Sequence, residues 1–217
     1  MKLALPLIFA AAAFAADRSV ALDTRNLELR GVKADVVHYR GRTALKLVEA
    51  SQSDLNAMAV LKNVALRDGT IQIEVAGSPA AGADATARGF VGIAFRVAPE
   101  AKQFEYIYLR PTNGRVEDQV RRNHSVQYAS HPDFPWQRLR KEEPEKYESY
   151  VDLEPGVWTR IRIVISGRSA KLYVHRSAQP SLVVNDLKLD PAPGAVALWI
   201  GPGTEAHFSK LVISTAK

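Results

Sequence analysis

The sequence predicts an all-β protein, folded as a sandwich of two antiparallel sheets. Apolar and polar residues alternate in short runs, which is the period of a half-buried strand. Glycine, proline or Asn-Gly turn signals separate these runs along the 217-residue chain. No stretch has a convincing helical period. Many short alternating strands with such turn signals are typical of two packed antiparallel sheets.

The first clear strand lies at 70–75, directly after the turn signal Asp68-Gly69. Alternation sends its three aliphatic side chains to one face, and the segment 89–97 repeats the pattern. The residues expected to face the core are Ile71, Ile73, Val75, Val91, Ile93, Phe95 and Val97.

The segment 104–110 has two distinct faces. Ile107 and Leu109 point to one side, which we assign to the core, and the other side carries two tyrosines and Arg110. The same alternation predicts later strands at 159–165, 170–175, 195–200 and 208–213.

An irregular segment from 111 to about 147 interrupts this pattern. It contains several prolines, a mixed-charge cluster and the polar stretch RRNHSVQY at 121–128. A long insertion in a regular sandwich is usually functional or mobile, and its aromatic residues argue against simple disorder. We predict one domain, 16–217, with a long loop insertion at about 111–147.

The first fifteen residues predict a signal peptide. Lys2 precedes an apolar run from Leu3 to Phe14, and Ala13 and Ala15 form an A-x-A cleavage site. The run is shorter than the roughly 20 residues that span a bilayer, and no later stretch is apolar for long enough. We therefore expect a secreted or periplasmic protein without a membrane span.

Composition restricts the chemistry and the partners. The chain has no cysteine, which excludes disulfides, thiol catalysis and thiolate metal sites. Its formal net charge is +6, and such an excess can serve nucleic acid, acidic glycans or an anionic surface. Basic and acidic residues are interspersed, and exported proteins rarely meet nucleic acid. We expect a solvated surface and no nucleic-acid partner.

The polar face of the segment 104–110 is a candidate sugar platform. Tyr106 and Tyr108 offer rings for the apolar face of a pyranose, and Arg110 offers hydrogen bonds to its hydroxyls. Arg96, on the preceding strand, is expected nearby, with Gly92 and Ala94 leaving open space beside it. The alternative is ordinary cross-strand packing, because tyrosine is common in strands.

The stretch 121–128 supplies the predicted rim of this site. A short strand is expected to start at Ser125, with polar side chains at its mouth. Arginine forks suit carboxylates, phosphates and vicinal hydroxyls, so they leave the ligand open. The alternative is a clasp, in which Arg110 and Asn123 pin the insertion to the sheet through internal hydrogen bonds. The candidate rim residues are Arg122, Asn123, His124 and Tyr128.

Neither metal nor catalytic chemistry has a linear motif. The five histidines are scattered without ligand spacing, so no metal or other cofactor is predicted. A calcium site is the one alternative to this prediction, because loop oxygens can bind calcium without a linear motif. A glycosidase needs two carboxylates roughly 5–10 Å apart. The sequence shows no such couple, although the fold could bring together Glu74, Glu105 or Glu148.

Several strands together resemble the concanavalin A-like lectin/glucanase superfamily. The similar segments are DGTIQIEV at 68–75, GFVGIAFR at 89–96, YIYLRP at 106–111, GVWTRI at 156–161 and FSKLVI at 208–213. The resemblance covers most of the mature chain and implies a jelly roll of two curved sheets. Laminin-G-like domains and the exported 3-keto-disaccharide hydrolases are similar sandwiches.

The chain departs from these relatives at residues that carry their functions. It has no E-x-D-x-E string of the laminarinase-like enzymes, and Ser209 stands where many binding members have an aspartate near calcium. The G-N-S-G-I and E-x-Q-I-L-D strings of the 3-keto-disaccharide hydrolases are also absent. No catalytic residue is therefore carried over.

The first hypothesis is an exported jelly-roll domain that binds a carbohydrate without cleaving it. The second is a glycoside hydrolase or another glycan-cleaving enzyme of the same fold. The third is a cell-surface protein-interaction module, which a face filled by the insertion would favour.

Overall fold

The computed structural model describes residues 17–50 and 57–216. The predicted signal peptide, 1–15, lies outside these residues. Strands hold 53% of the described residues and helices 11%, so the prediction of an all-β, two-sheet antiparallel sandwich is confirmed.

The strands are joined by connections that range from tight turns to segments containing short helices. In chain order they are β1 (Asp17–Val20), β2 (Leu27–Arg30), β3 (Val32–Tyr39), β4 (Arg42–Glu49), β5 (Met58–Leu66), β6 (Gly69–Pro79), β7 (Val91–Val97), β8 (Phe104–Leu109), β9 (Val126–His131), β10 (Glu148–Ser149), β11 (Thr159–Ser166), β12 (Ser169–Val174), β13 (Leu182–Val184), β14 (Gly194–Ile200) and β15 (Thr204–Thr215).

Two antiparallel sheets are formed by the described strands. Sheet A has the order β13-β12-β11-β6-β15-β4-β3, with β1 also paired to β15. Sheet B has the order β10-β9-β8-β7-β14-β5-β2. Most neighbours are not consecutive in the chain, so the connections cross repeatedly between the two sheets. This arrangement places β8 and β9 side by side near one edge of sheet B.

The main core lies between the sheets and follows the predicted alternation. Ile161, Ile163 and Ile165 of β11 face it from sheet A, and Ile107 and Leu109 of β8 face it from sheet B. A second apolar cluster, which includes Tyr108 and Trp199, covers the other side of sheet B. We call this side the outer face of sheet B.

A bulge in β7 gives Arg96 and Val97 the opposite orientation to the predicted one. Between Ala94 and Val97 three steps of β7 oppose two steps of β14, and Arg96 has a φ of 51°. The extra residue reverses the alternation. Val97 therefore packs in the cluster on the outer face instead of the main core, and Arg96 turns toward the opposite side of the sheet.

The segment 111–147 is more ordered than the predicted loop. It contains β9, a 3₁₀ turn at Pro111–Asn113, α1 (Gln119–Asn123) and α2 (Trp136–Glu142). These helices have five and seven residues, too short to give a recognisable helical period in sequence. Because β9 pairs with β8, the segment is part of sheet B rather than an appendage to it.

Candidate functional site

The centre of the outer face of sheet B is an aromatic cluster. The rings of Tyr106 and Tyr108 are stacked with their centroids 5.4 Å apart, and each centroid lies 4.9 Å from that of Trp199. Gly92 pairs with Tyr108 on one side and with Trp199 on the other, so the rings meet above it. The predicted face of β8 is confirmed.

The space beside Gly92 is closed. A Cβ atom at this position would lie 2.6 Å from the Tyr108 Cβ and 2.3 Å from the Ile107 carbonyl oxygen. The expectation of open space there was therefore wrong, because the backbone of β8 and the Tyr108 Cβ lie directly against the glycine. Gly92 permits the close approach of Tyr108 instead.

Exposure decides which rings a ligand could contact. Tyr108 and Trp199 are only 2% and 4% exposed, whereas Tyr106 and Phe90 remain partly exposed. Burial raises the pKa of Tyr108 to about 12, and it raises that of Tyr106 as well. Both phenols are thus neutral near pH 7, and Tyr106 and Phe90 are the rings of this face that remain partly exposed.

Arg110 closes one end of this face. Its guanidinium donates to the Tyr108 hydroxyl at 2.9 Å, to Gln127 Oε1 at 3.1 Å and to the His124 carbonyl oxygen at 3.1 Å. It also donates to Glu148 Oε1 at 3.2 Å. Arg110 is 5% exposed. These contacts match the clasp alternative, because they join the end of β8 to the start of β9 and to β10.

Glu148 lies between two arginines. Arg140 donates through Nε to Glu148 Oε2 at 2.8 Å and through a second nitrogen to Oε1, while Arg110 approaches from the other side. The Trp136 ring lies 4.6 Å from Arg140 Cζ and 5.6 Å from Arg110 Cζ. Trp136 and Arg140 are one helical turn apart on α2, so this helix covers the Arg110 end of the face.

His124 completes the cluster. Its Nε2 atom lies 3.5 Å from Glu148 Oε2. Burial lowers the pKa of His124 more than the nearby Glu148 raises it. The ring is therefore neutral at pH 7 and remains able to donate or accept a hydrogen bond.

The other end of the outer face opens into a cavity of about 810 Å³, within the usual range of ligand pockets. Its apolar floor includes Val60, Val97 and Ala101, which belong to the same cluster as the tyrosines. Its rim is polar and includes Gln103, Lys188 and residues of β2. The aromatic cluster therefore lies between a closed polar end and an open apolar one.

The structure places two predicted site residues elsewhere. Tyr128 is 0% exposed and pairs with Ile107, so it points into the main core. Its hydroxyl donates to Glu105 Oε1 at 2.7 Å, and Arg96 donates to Glu105 Oε2 at 3.0 Å. Tyr128 is thus not on the rim. Arg96 is not beside Tyr106, although it does line the cavity.

Two further predicted residues lie on α1. Arg122 donates to the Tyr150 hydroxyl at 2.9 Å. Asn123 is exposed and accepts from Gln119 at 2.7 Å. Neither makes a contact with the aromatic cluster within the described part of the chain. Of the eight predicted residues, the fold therefore gathers Tyr106, Tyr108, Arg110 and His124.

Sequence reasoning did not place six side chains on this face, namely Phe90, Gln127, Trp136, Arg140, Glu148 and Trp199. Alternation could have found Gln127 and Trp199, because each has core-facing neighbours on both sides in its strand. The spacing of Trp136 and Arg140 suits one helical face, but no helix was predicted there. The residues next to Glu148 in the sequence do not indicate that it pairs with Arg110 and Arg140.

The candidate carboxylates do not meet. Glu74 accepts from Arg42 in sheet A, Glu105 pairs with Arg96 on the core side of sheet B, and Glu148 lies on the outer face. Among the described residues, the polar contacts of Glu148 include no second carboxylate. The arrangement offers hydrogen bonds and ring surfaces, and it lacks the carboxylate pair of a glycosidase.

Residues 17–50 and 57–216 contain no group of three histidine, aspartate or glutamate side chains arranged to hold a metal ion. In the same residues no helix is both long enough and apolar enough to cross a membrane.

Solved structures with the same fold include carbohydrate-active proteins. The chain matches no protein-family model and no curated protein. It is similar to the carbohydrate-binding module CBM66 from Bacillus subtilis, with a TM-score of 0.54 and 13% identity over 86% of this chain and 95% of that one. It is also similar to a putative glycosyl hydrolase from Parabacteroides distasonis, with a TM-score of 0.52 and 10% identity over 90% of each chain.

A third similar structure is the β-glucanase of Bacillus licheniformis, with a TM-score of 0.51 and 12% identity over 95% of this chain and 100% of that one. At these identities the likeness concerns the fold. The chain therefore has a jelly-roll fold like that of these structures, which confirms the fold that the sequence resemblance implied.

Proposed function

We propose that this protein is an exported carbohydrate-binding jelly-roll domain that does not cleave its ligand. The observation that carries the proposal is the outer face of sheet B, where the partly exposed Tyr106 ring lies between an arginine-rich end and an open cavity. A pyranose offers an apolar face to such a ring and hydroxyls to the polar groups around it.

The proposal assigns different tasks to the residues of this face. Tyr106 and Phe90 supply the contact surface, since both remain partly exposed. Arg140 and His124 supply hydrogen bonds at the polar end. Arg110 holds neighbouring residues of the site in position, because its hydrogen bonds are directed to the protein itself.

Cleavage is not part of the proposal, for a chemical reason. Hydrolysis by the usual mechanisms requires a proton donor and a second carboxylate on one bond. Both oxygens of Glu148 are held by arginines in the described structure. A glycan held on this face would therefore be bound without the groups that normally cleave it.

The protein-interaction alternative draws on one specific observation. Helix α2 covers the Arg110 end of the face, so part of the predicted platform is closed. If the remaining surface also fails to bind sugars, this alternative gains. The same binding experiment therefore separates the two functions.

The test is calorimetry of the mature chain with neutral oligosaccharides chosen from a glycan array. We expect binding at millimolar concentration or better. Tyr106→Ala should weaken it by about tenfold, the equivalent of roughly 1.4 kcal/mol for a lost ring contact. Tyr150→Ala removes an exposed tyrosine that contacts Arg122 instead of the aromatic cluster and serves as the matched control.

Two results would count against the proposal. One is the absence of binding to every neutral glycan at millimolar concentration. The other is equal weakening by Tyr106→Ala and Tyr150→Ala. Release of new reducing ends from a bound oligosaccharide would instead support the hydrolase alternative.

A further inference from the structure

The face of sheet A that points away from the main core carries an arginine-lined cavity. Gln72, Arg162 and Tyr173 stand directly opposite one another on the neighbouring strands β6, β11 and β12. Arg160, two residues before Arg162, shares their face. The cavity has a volume of about 230 Å³. Its lining residues are Gln72, Arg160, Arg162, Tyr173, Arg176 and Ser177.

The positive charge in this cavity is not neutralised by a neighbouring acid. Arg160 donates to the neutral Gln72 at 2.9 Å. Within residues 17–50 and 57–216, neither Arg162 nor Arg176 forms an ion pair with a carboxylate. Glu74 lies opposite Arg160 in the register of β6 and β11. Its carboxylate forms ion pairs with Arg42 and, at 3.6 Å, with Lys210. Three like charges converge on one recess, which favours an anion there.

Two of the arginines are already fixed in position. The Arg162 guanidinium lies 3.7 Å from the centroid of the Tyr173 ring, and Gln72 holds Arg160. Both arginines belong to β11, which is paired on both sides. A pre-positioned guanidinium loses less conformational entropy when it binds, and its planar fork matches the oxygens of a carboxylate or sulfate.

Arg176 reaches the cavity from the end of β12. Both it and His175 adopt left-handed backbone conformations, with φ values of 63° and 53°. The His175 ring contacts the Asp152 carbonyl oxygen at 2.7 Å, which anchors this turn. The turn thereby brings a third guanidinium and the Ser177 hydroxyl to the rim.

We propose that this cavity binds the acidic groups of a polysaccharide, namely the carboxylate of a uronic acid or a sulfate ester. Three arginines would hold the anionic group, while Gln72 and Ser177 suit the hydroxyls of the sugar that carries it. This second site lies on the sheet opposite to the proposed neutral-glycan site. It goes beyond the function proposed above and does not depend on it.

The experiment measures binding of the mature chain to an oligogalacturonate and to a chondroitin sulfate oligosaccharide by calorimetry. The test variant is Arg162→Gln with Arg176→Gln. The control variant, Arg25→Gln with Arg168→Gln, also removes two positive charges. Its two arginines are exposed, with side-chain exposures of 87% and 52%, and lie outside the cavity.

We expect the test variant to bind at least one acidic oligosaccharide at least about tenfold more weakly than the unaltered chain. The control variant should change this affinity by less than about threefold. Raising the salt concentration should weaken the binding, since it screens exposed charges. Tyr106→Ala should leave it unchanged, which separates this site from the one on sheet B.

Three results would overturn the inference. Equal losses in the two double variants would show non-specific attraction to net charge. Binding of inorganic sulfate as tight as that of the oligosaccharides would show a free-ion site. Absence of binding to both acidic oligosaccharides at millimolar concentration would show that the cavity does not serve this ligand class.

Discussion

Replacement of Arg110 by alanine should destabilise the fold substantially. The side chain is 5% exposed, and its guanidinium donates to four groups on three segments: Tyr108, His124, Gln127 and Glu148. Alanine removes all four hydrogen bonds and leaves their acceptors in a buried region. The sequence-based binding hypothesis assigned this arginine to the ligand, whereas its contacts assign it to the clasp.

The magnitude follows from the buried ion pair. Removal of one partner from such a pair costs about 3–5 kcal/mol. Glu148 keeps Arg140 as a second partner, so we expect the lower end, about 3 kcal/mol. For a chain of this length each kcal/mol lowers the Tm by about 2–4 °C. The expected fall in Tm is therefore about 6–12 °C.

Urea denaturation followed by tryptophan fluorescence would measure this loss. Trp136 is a suitable reporter, because its ring lies 5.6 Å from Arg110 Cζ. Arg115→Ala is the control, since Arg115 is exposed and pairs with Asp152 and Glu154 at the surface. The loss of this exposed ion pair should leave the urea midpoint close to that of the unaltered chain. If the Arg110 variant unfolds at the same urea concentration as the Arg115 variant, the clasp role of Arg110 is refuted.

Three further predictions concern the core, the aromatic cluster and pH. Ile163→Ala should cost about 2–5 kcal/mol in urea denaturation, because the side chain is fully buried in the main core. The exposed Val183→Ala should stay within about 0.5 kcal/mol. Gly92→Ala should cost about 1–3 kcal/mol, since the new Cβ would collide with Tyr108, and near-ultraviolet circular dichroism should change with it. A wild-type spectrum would contradict this contact. Burial lowers the pKa of His207, so below the unfolded value of about 6.5 the unfolded chain binds more protons there than the folded one. The free energy of unfolding should therefore be highest above this pH and decrease as the pH is lowered toward 5. His207→Gln should make this decrease smaller. An unchanged slope would exclude His207 as its source.

The alternation of residues along single strands determined the fold class and much of the site. Side chains of a strand alternate between faces whatever its partners are. The sequence of β8 was therefore sufficient to assign Ile107 to the core and Tyr106 and Tyr108 to the other face. The same local rule fixed the inward face of β11. No knowledge of the neighbouring strands was needed for these assignments.

Pairing between distant strands decided what the local rule could not. The bulge at Arg96 arises where β7 pairs with β14, nearly one hundred residues further along the chain, and it sends this arginine to Glu105. The partners of Glu148 come from β8 and α2. Such contacts depend on strand register and on where a short helix packs. Neither property is encoded in the spacing of the residues involved, so only the tertiary structure showed that Arg110 belongs to a clasp and that Tyr106 remains partly exposed.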